Sequence, residues 1–301
     1  MTLLASLITI LCIIFIGIFC YKKEVLNKNQ IDGFEFLLFK LIMPSYLFIA
    51  AYNSDINALL KMKYIVAYLL TFGILAFIVT LIFYNKNPLA ICVRILAASY
   101  INAAKYTLPV ITILFKDPIA AIIGNIIQVI IIQPIFIVVL NKIKHKEQSL
   151  NKKILEIVTT PLIIMPLIGI LLNYLKFALP IPIVDAISQI GDGASGLGLF
   201  AIGLTLGATK ITKNCMRFDL LSIILIKNLL HPLIAIFVAY LMNLESYWFK
   251  SLIIATSAPT AFVVYLIAKQ FGTDEELVKK VIALSSVIST TSLIFITLAM
   301  G

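Results

Sequence analysis

Apolar residues in this chain run in long stretches, separated by short gaps of charged, Pro, Gly or Asn residues. A helix needs about 20 predominantly apolar residues to cross the hydrocarbon core of a bilayer. Ten stretches meet that description: Thr2–Tyr21, Phe34–Tyr52, Tyr64–Tyr84, Leu89–Phe115, Ile119–Leu140, Ile154–Leu175, Ile183–Thr209, Leu220–Met242, Trp248–Phe271 and Val278–Met300. The pattern predicts an all-α polytopic membrane protein of ten transmembrane helices. The fourth, seventh and ninth stretches are long and interrupted by Pro or Gly. The first has no basic residues before it and is followed by Lys22 and Lys23, so it reads as a span and not as a cleaved signal peptide.

Composition agrees. The chain is 61% hydrophobic and only 13% charged, against about 25% charged in soluble domains, so its solvent must be lipid. The formal charge of +10 does not indicate nucleic acid, because most Lys and Arg fall in the gaps between apolar runs, as in cytoplasmic loops. Cys12, Cys20, Cys92 and Cys215 have no metal-binding or CxxC spacing and read as packing residues. No cofactor or metal is implied.

The distribution of charge orients the spans. Counted together with the span ends that adjoin them, the gaps after odd-numbered spans hold fifteen Lys or Arg, and those after even-numbered spans hold five, Lys61, Lys63, Lys116, Lys176 and Lys250. The positive-inside rule then puts the odd gaps in the cytoplasm and both termini outside, in a multi-pass protein of the cell membrane. The longest basic gap, 141–153, divides the chain into a first half (1–140) and a second half (154–301) of five spans each. Five is odd, so the second half enters the membrane inverted, the repeat topology common in secondary transporters.

The halves also match in detail. Each carries a proline inside its fourth span, Pro109 and Pro259. Polar residues surround both: Asn102, Lys105 and Thr107 near the first, and Thr256, Ser257 and Thr260 near the second. Proline removes an N–H and leaves a carbonyl unpartnered, which in lipid is costly unless a cavity or ligand satisfies it. Two broken helices at corresponding positions point to a midplane binding site. A simple kink is the alternative for either proline alone.

At these segments the sequence resembles the auxin efflux carrier family, in its compact bacterial type. Asn102-Ala-Ala-Lys-Tyr-Thr-Leu-Pro109 matches the family's Asn, six residues, Pro in span four. The Ala258-Pro259 stretch through Ala268-Lys269-Gln-Phe271 is similar to its span nine. Gly196-Leu-Gly-Leu-Phe-Ala-Ile-Gly203-Leu resembles its span seven, three residues tighter, and Leu41-Ile-Met-Pro44 its span two. The resemblance covers essentially the whole chain. It implies the fold of the sodium–bile acid transporters, with the Pro-broken helices of spans four and nine crossing. Spans three to five and eight to ten would form a transport domain. Spans one, two, six and seven would form a scaffold that dimerises. Transport would be elevator-like, and the substrate a small organic anion, a carboxylate or an auxin-like molecule. The chain departs from the family at Thr107, where Gly is usual, at Thr160-Pro161, where Asn-Pro is common, and at Lys105, where an apolar residue is common.

Basic residues inside spans cost about 2.5–3.5 kcal/mol each at the bilayer centre, so each needs a reason. Lys105 lies one helical turn before Pro109 on the same face. It would either present an ammonium to a substrate carboxylate, snorkel, or pair with a buried acid such as Asp192. Asn102 offers two donors and an acceptor. Lys227 and His231 share a face of span eight, beside Asn228 and Pro232. They would couple transport to protons, or His231 would simply pack. Lys40 and Arg94 lie near span ends and are expected to snorkel. Asp185 and Asp192 fit a flexible helix start in the scaffold. Two other classes compete. Gly193-Ala-Ser195-Gly196 spells the GxSG of rhomboid proteases, with His231 on the next span, but the motif is short and small residues are common where membrane helices pack. A channel would show a repeated filter loop, and none is seen.

Overall fold

The computed structural model describes residues 3–54, 61–144, 160–208 and 218–300. Most of the basic linker expected at 141–153 lies outside these residues, as does Cys215. The described residues are helical, with one isolated β-bridge. In chain order the helices are α1 (Leu3–Lys22), α2 (Lys28–Tyr52), α3 (Met62–Ile82), α4 (Pro88–Ser99), α5 (Ala103–Phe115), α6 (Ile119–Ile143), α7 (Pro161–Tyr174), α8 (Ile181–Ala208), α9 (Phe218–Leu241), α10 (Ser246–Ser257), α11 (Phe262–Phe271) and α12 (Glu275–Met300). Seven of them (α1, α2, α3, α6, α8, α9 and α12) are long and apolar enough to cross a membrane. The expected fourth and ninth spans are each two shorter helices, α4 with α5 and α10 with α11.

Prolines shape these helices in a regular way. Four π-helical turns occur among the described residues, and each ends two residues before a proline. Leu38–Ile42 precedes Pro44, Ala103–Thr107 precedes Pro109, Ile127–Ile132 precedes Pro134, and Ile226–Leu230 precedes Pro232. A proline ring clashes with the carbonyl four residues back and offers it no N–H. A widened turn holds that carbonyl clear of the ring and lets the helix continue.

Chain contacts divide the molecule into two compact units. The first comprises Met1–Lys61, Ala104–Val129 and Asn151–Ala208, and the second Met62–Ala103, Ile130–Leu150 and Thr209–Gly301. In lipid no hydrophobic effect drives helices together, so close packing through small residues does the work. The first unit is built this way. α1 and α8 approach until Gly17 touches the backbone of Phe200 and Gly203 that of Ile14, leaving no room for a Cβ on either. On α7, a Cβ at Gly169 would lie 2.6 Å from the Phe48 carbonyl oxygen of α2. Polar ties finish this contact: Asn173 Nδ2 donates to the carbonyls of Ala51 (3.2 Å) and Ser54 (2.7 Å).

Aromatic packing dominates the second unit. Tyr64 of α3 is buried against Trp248 of α10, with centroids 5.0 Å apart, and Phe72 meets Phe136 edge-on at 5.9 Å. Large apolar side chains such as Phe15, Phe19, Phe77 and Phe237 face outward, as a lipid environment requires. Cys12 is exposed among them, so it does not fill the packing role expected of it.

Candidate functional site

The second unit contains two helix interruptions that pair with each other. α4 stops at Ser99, whose hydroxyl bonds back to the Ile95 carbonyl (2.6 Å), and Tyr100 is extended. α10 stops at Ser257, because the residue before a proline is driven out of the helical region, and Ala258 is extended at ψ 152°. The two interruptions pair with each other as a short antiparallel bridge between Ile101 and Thr260. Asn102 N–H donates to the Pro259 carbonyl (2.8 Å), and Ala261 N–H donates to the Tyr100 carbonyl (3.1 Å).

Buried backbone groups must find partners, and side chains supply them here. Thr260 Oγ1 donates to the Ala97 carbonyl at 2.6 Å, a group that Ile101 N–H would take in an unbroken helix. Thr260 N–H donates to Ser285 Oγ of α12 at 3.2 Å. That leaves the Thr256 carbonyl, its partner in an unbroken helix, open at the C-terminal end of α10. Lys227 Nζ donates to it at 3.0 Å. The same Nζ lies 3.3 Å from His231 Nδ1, and both side chains are buried. Asn228 Oδ1 accepts from Ser289 Oγ at 3.0 Å. Tyr100 OH donates to Gln133 Oε1 at 2.8 Å.

The residues singled out in the sequence therefore fall into two groups. Asn102, Thr256, Ser257, Pro259 and Thr260 lie at the paired interruptions in the second unit, where Lys227 reaches Thr256 and, on the same helix, His231 lies against Lys227 and Asn228 bonds Ser289. Lys105, Thr107 and Pro109 belong to the first unit. The expectation that Pro109 marks the break of span four is corrected. The interruption is at Tyr100–Asn102, and the chain is already helical again at Pro109 because the π-turn Ala103–Thr107 absorbs the proline. Pro109 instead packs on Gly198 of α8, where an added Cβ would lie 3.2 Å from its ring. Thr107 is buried with no hydrogen-bond partner for Oγ1.

Lys105 is ion-paired, but not with Asp192. Its Nζ lies 2.8 Å from Glu35 Oε2 of α2 and over the Phe39 ring at 4.8 Å. Glu35 is seven residues into a long helix and gave no signal in the sequence beyond being an acid inside an apolar run.

Arg94 does not snorkel. It is 4% exposed, in the second unit. Its guanidinium reaches Asp219 Oδ2 (2.9 Å, Nη2) at the start of α9 and Asp274 Oδ2 (3.2 Å, Nε) in the turn before α12. The Phe83 ring lies 4.9 Å from its Cζ, and Lys86 also pairs with Asp219, at 3.2 Å. Gly272 (φ 66°) and Asp274 (φ 54°) both adopt the left-handed conformation. Glycine takes that conformation freely and Asp tolerates it, and the resulting turn swings Asp274 toward Arg94. Burial pushes the Asp274 carboxyl above the usual carboxylate range, with Arg94 opposing the shift. These charges border a cavity of about 110 Å³ that Lys280 and Glu276 also line. Neither acid was singled out in the sequence. Ser285 and Ser289 were also missed, although they recur four residues apart on one face of an apolar helix.

Long apolar helices, with two of the expected spans interrupted, describe a polytopic membrane protein, and similarity to known proteins makes it a transporter. Residues 2–297 match the family described as Membrane transport protein. The chain belongs to this family, that of the auxin efflux carriers. Over 288 residues it is 22% identical to the "Uncharacterized transporter YfdV" of Escherichia coli (strain K12), covering 89% of this chain and 88% of that one. It is 25% identical over 133 residues to the "Putative malonate transporter" of Rhizobium meliloti (strain 1021), a match spanning 44% of this chain and 41% of that protein. It is 28% identical over 127 residues to "Auxin efflux carrier component 8" of Arabidopsis thaliana, spanning 41% of this chain and 35% of that one. The protein is thus a membrane transporter and not an enzyme. Ser195 of the GxSG stretch belongs to the first unit, and His231 Nδ1 is engaged by Lys227 within the second.

Proposed function

We propose that this protein is a secondary active transporter that carries a small organic anion, a carboxylate or auxin-like molecule, across the cell membrane. The observation that carries the proposal is the backbone pairing of Tyr100–Asn102 with Pro259–Ala261. Helix α11 begins at it, and helix N-termini carry partial positive charge that favours anions. The relatives named for malonate and auxin add support for an anionic substrate. Asn102, Thr256, Ser257, Pro259 and Thr260 would bind the substrate, with Lys105, Thr107 and Pro109 following on the same strand of chain. Lys227, Asn228 and His231 would set the coupling. The chain would cross the membrane ten times as two inverted five-helix repeats with both termini outside. Transport would be elevator-like, in a homodimer formed through spans one, two, six and seven.

Purified protein in liposomes tests this. Saturable uptake of labelled malonate or indole-3-acetate, accelerated by the same unlabelled anion inside, is the expected result. Asn102→Ala should raise the half-saturating concentration at least several-fold. Uptake that is linear in concentration and indifferent to internal anion would indicate a channel and sink the carrier reading.

A further inference from the structure

Lys227 is fully buried, and neither of the two partners the structure gives its Nζ, the Thr256 carbonyl and His231 Nδ1, is a carboxylate. A buried basic side chain ordinarily needs a carboxylate. What it has instead is the carboxyl-terminal end of a helix. The Thr256 carbonyl lies in the last turn of α10, where the helix dipole is negative, and Thr260 N–H is diverted to Ser285. In broken-helix carriers, unwound carbonyls and half-helix C-termini are the groups that hold a monovalent cation.

We propose that the tethered Nζ of Lys227 occupies the position a monovalent metal ion would take at this helix break, and that the protein's cycle therefore requires no Na⁺. The lysine sits in α9 and reaches its carbonyl in α10, both in the second unit. The neighbouring oxygens of Ser285, Ser289 and Asn228 already have hydrogen-bond partners of their own. The transport half of this inference rests on the carrier reading; the binding half does not.

The test is thermal unfolding of purified protein, followed by Trp248 fluorescence, in NaCl, KCl and N-methylglucamine chloride at equal ionic strength. The native protein should melt at the same temperature in all three. Lys227→Ser opens the position and leaves the Thr256 carbonyl without its donor. Its melting temperature should be lowest in N-methylglucamine and rise by about 3–6 °C on addition of 150 mM Na⁺ or K⁺. Lys227→Ala opens the same position without adding a polar group to bury, guards against failure to fold, and should show the same response. Specific stabilisation of the native protein by Na⁺ would overturn the proposal, as would a folded variant indifferent to both cations. Anion counterflow by the native protein should be equal with and without Na⁺, and Na⁺-dependent counterflow would also overturn it. Absence of any anion uptake, with the melting results as expected, would remove the carrier reading and leave the cation position standing.

Discussion

Replacing Arg94 with methionine should expose how much the second unit depends on its buried charge cluster. The guanidinium side chain is 5% exposed, while its partners Asp219 and Asp274 are 26% and 20% exposed. Breaking a fully buried ion pair costs about 3–5 kcal/mol, and a surface pair is worth about 0–1 kcal/mol. This cluster lies between those limits. Lys86 still holds Asp219 after the change, at 3.2 Å, and Asp274 relieves its burial by taking up a proton. The expected loss is therefore about 2–3 kcal/mol. The assay is unfolding in mixed micelles with increasing SDS, read from Trp248, the single tryptophan of the chain, which is buried in the same unit. Adding Asp219→Asn and Asp274→Asn to Arg94→Met removes the stranded carboxylates. This triple variant should recover at least about half of the loss, because the penalty comes from the uncompensated charges and not from the missing arginine. Asparagine also tolerates the left-handed backbone at 274. A loss below about 0.5 kcal/mol in Arg94→Met would refute the reasoning. So would a triple variant no more stable than the single one.

Three further outcomes follow from the geometry. Glu35→Gln removes the carboxylate 2.8 Å from Lys105; if Lys105 serves an anionic substrate, half-saturation in uptake should fall several-fold, and an unchanged value would detach Lys105 from the substrate. Because burial raises the Asp274 carboxyl, the folded protein keeps that proton at pH values where the unfolded chain has lost it. Stability from this group then falls as pH rises between the ordinary aspartate value and the raised one, and Asp274→Asn should flatten that part of the profile in melting experiments. Gly203→Val places a side chain against the backbone of α1. It should cost about 1–3 kcal/mol or more, as overpacking does, while Gly33→Val, with nothing within 4 Å of the added Cβ, should cost far less in the same measurement.

Much of the architecture was legible because membrane insertion is a local property. Run length fixes where a helix can span, and every backbone group in lipid must be satisfied within its own segment or at a break. The two interrupted spans and the polar residues near them could be read in this way. The exact place of the first break could not. Proline predicts that a carbonyl loses its partner, but not whether the chain answers with an extended residue, as at Ala258, or with a π-turn that carries the helix onward, as before Pro109. That choice depends on what lies alongside.

The sequence by itself determined the solvent, the helices and the two polar segments, since these follow from the apolar run lengths and from the chemistry of single residues. Only the tertiary structure decided which charges meet. Arg94 finds its acids 125 and 180 positions away, Lys105 finds Glu35 and not Asp192, and Lys227 ends on a carbonyl of another helix. No periodicity encodes those encounters. They follow from helices packing closely enough that each buried charge must take the partner its neighbours supply.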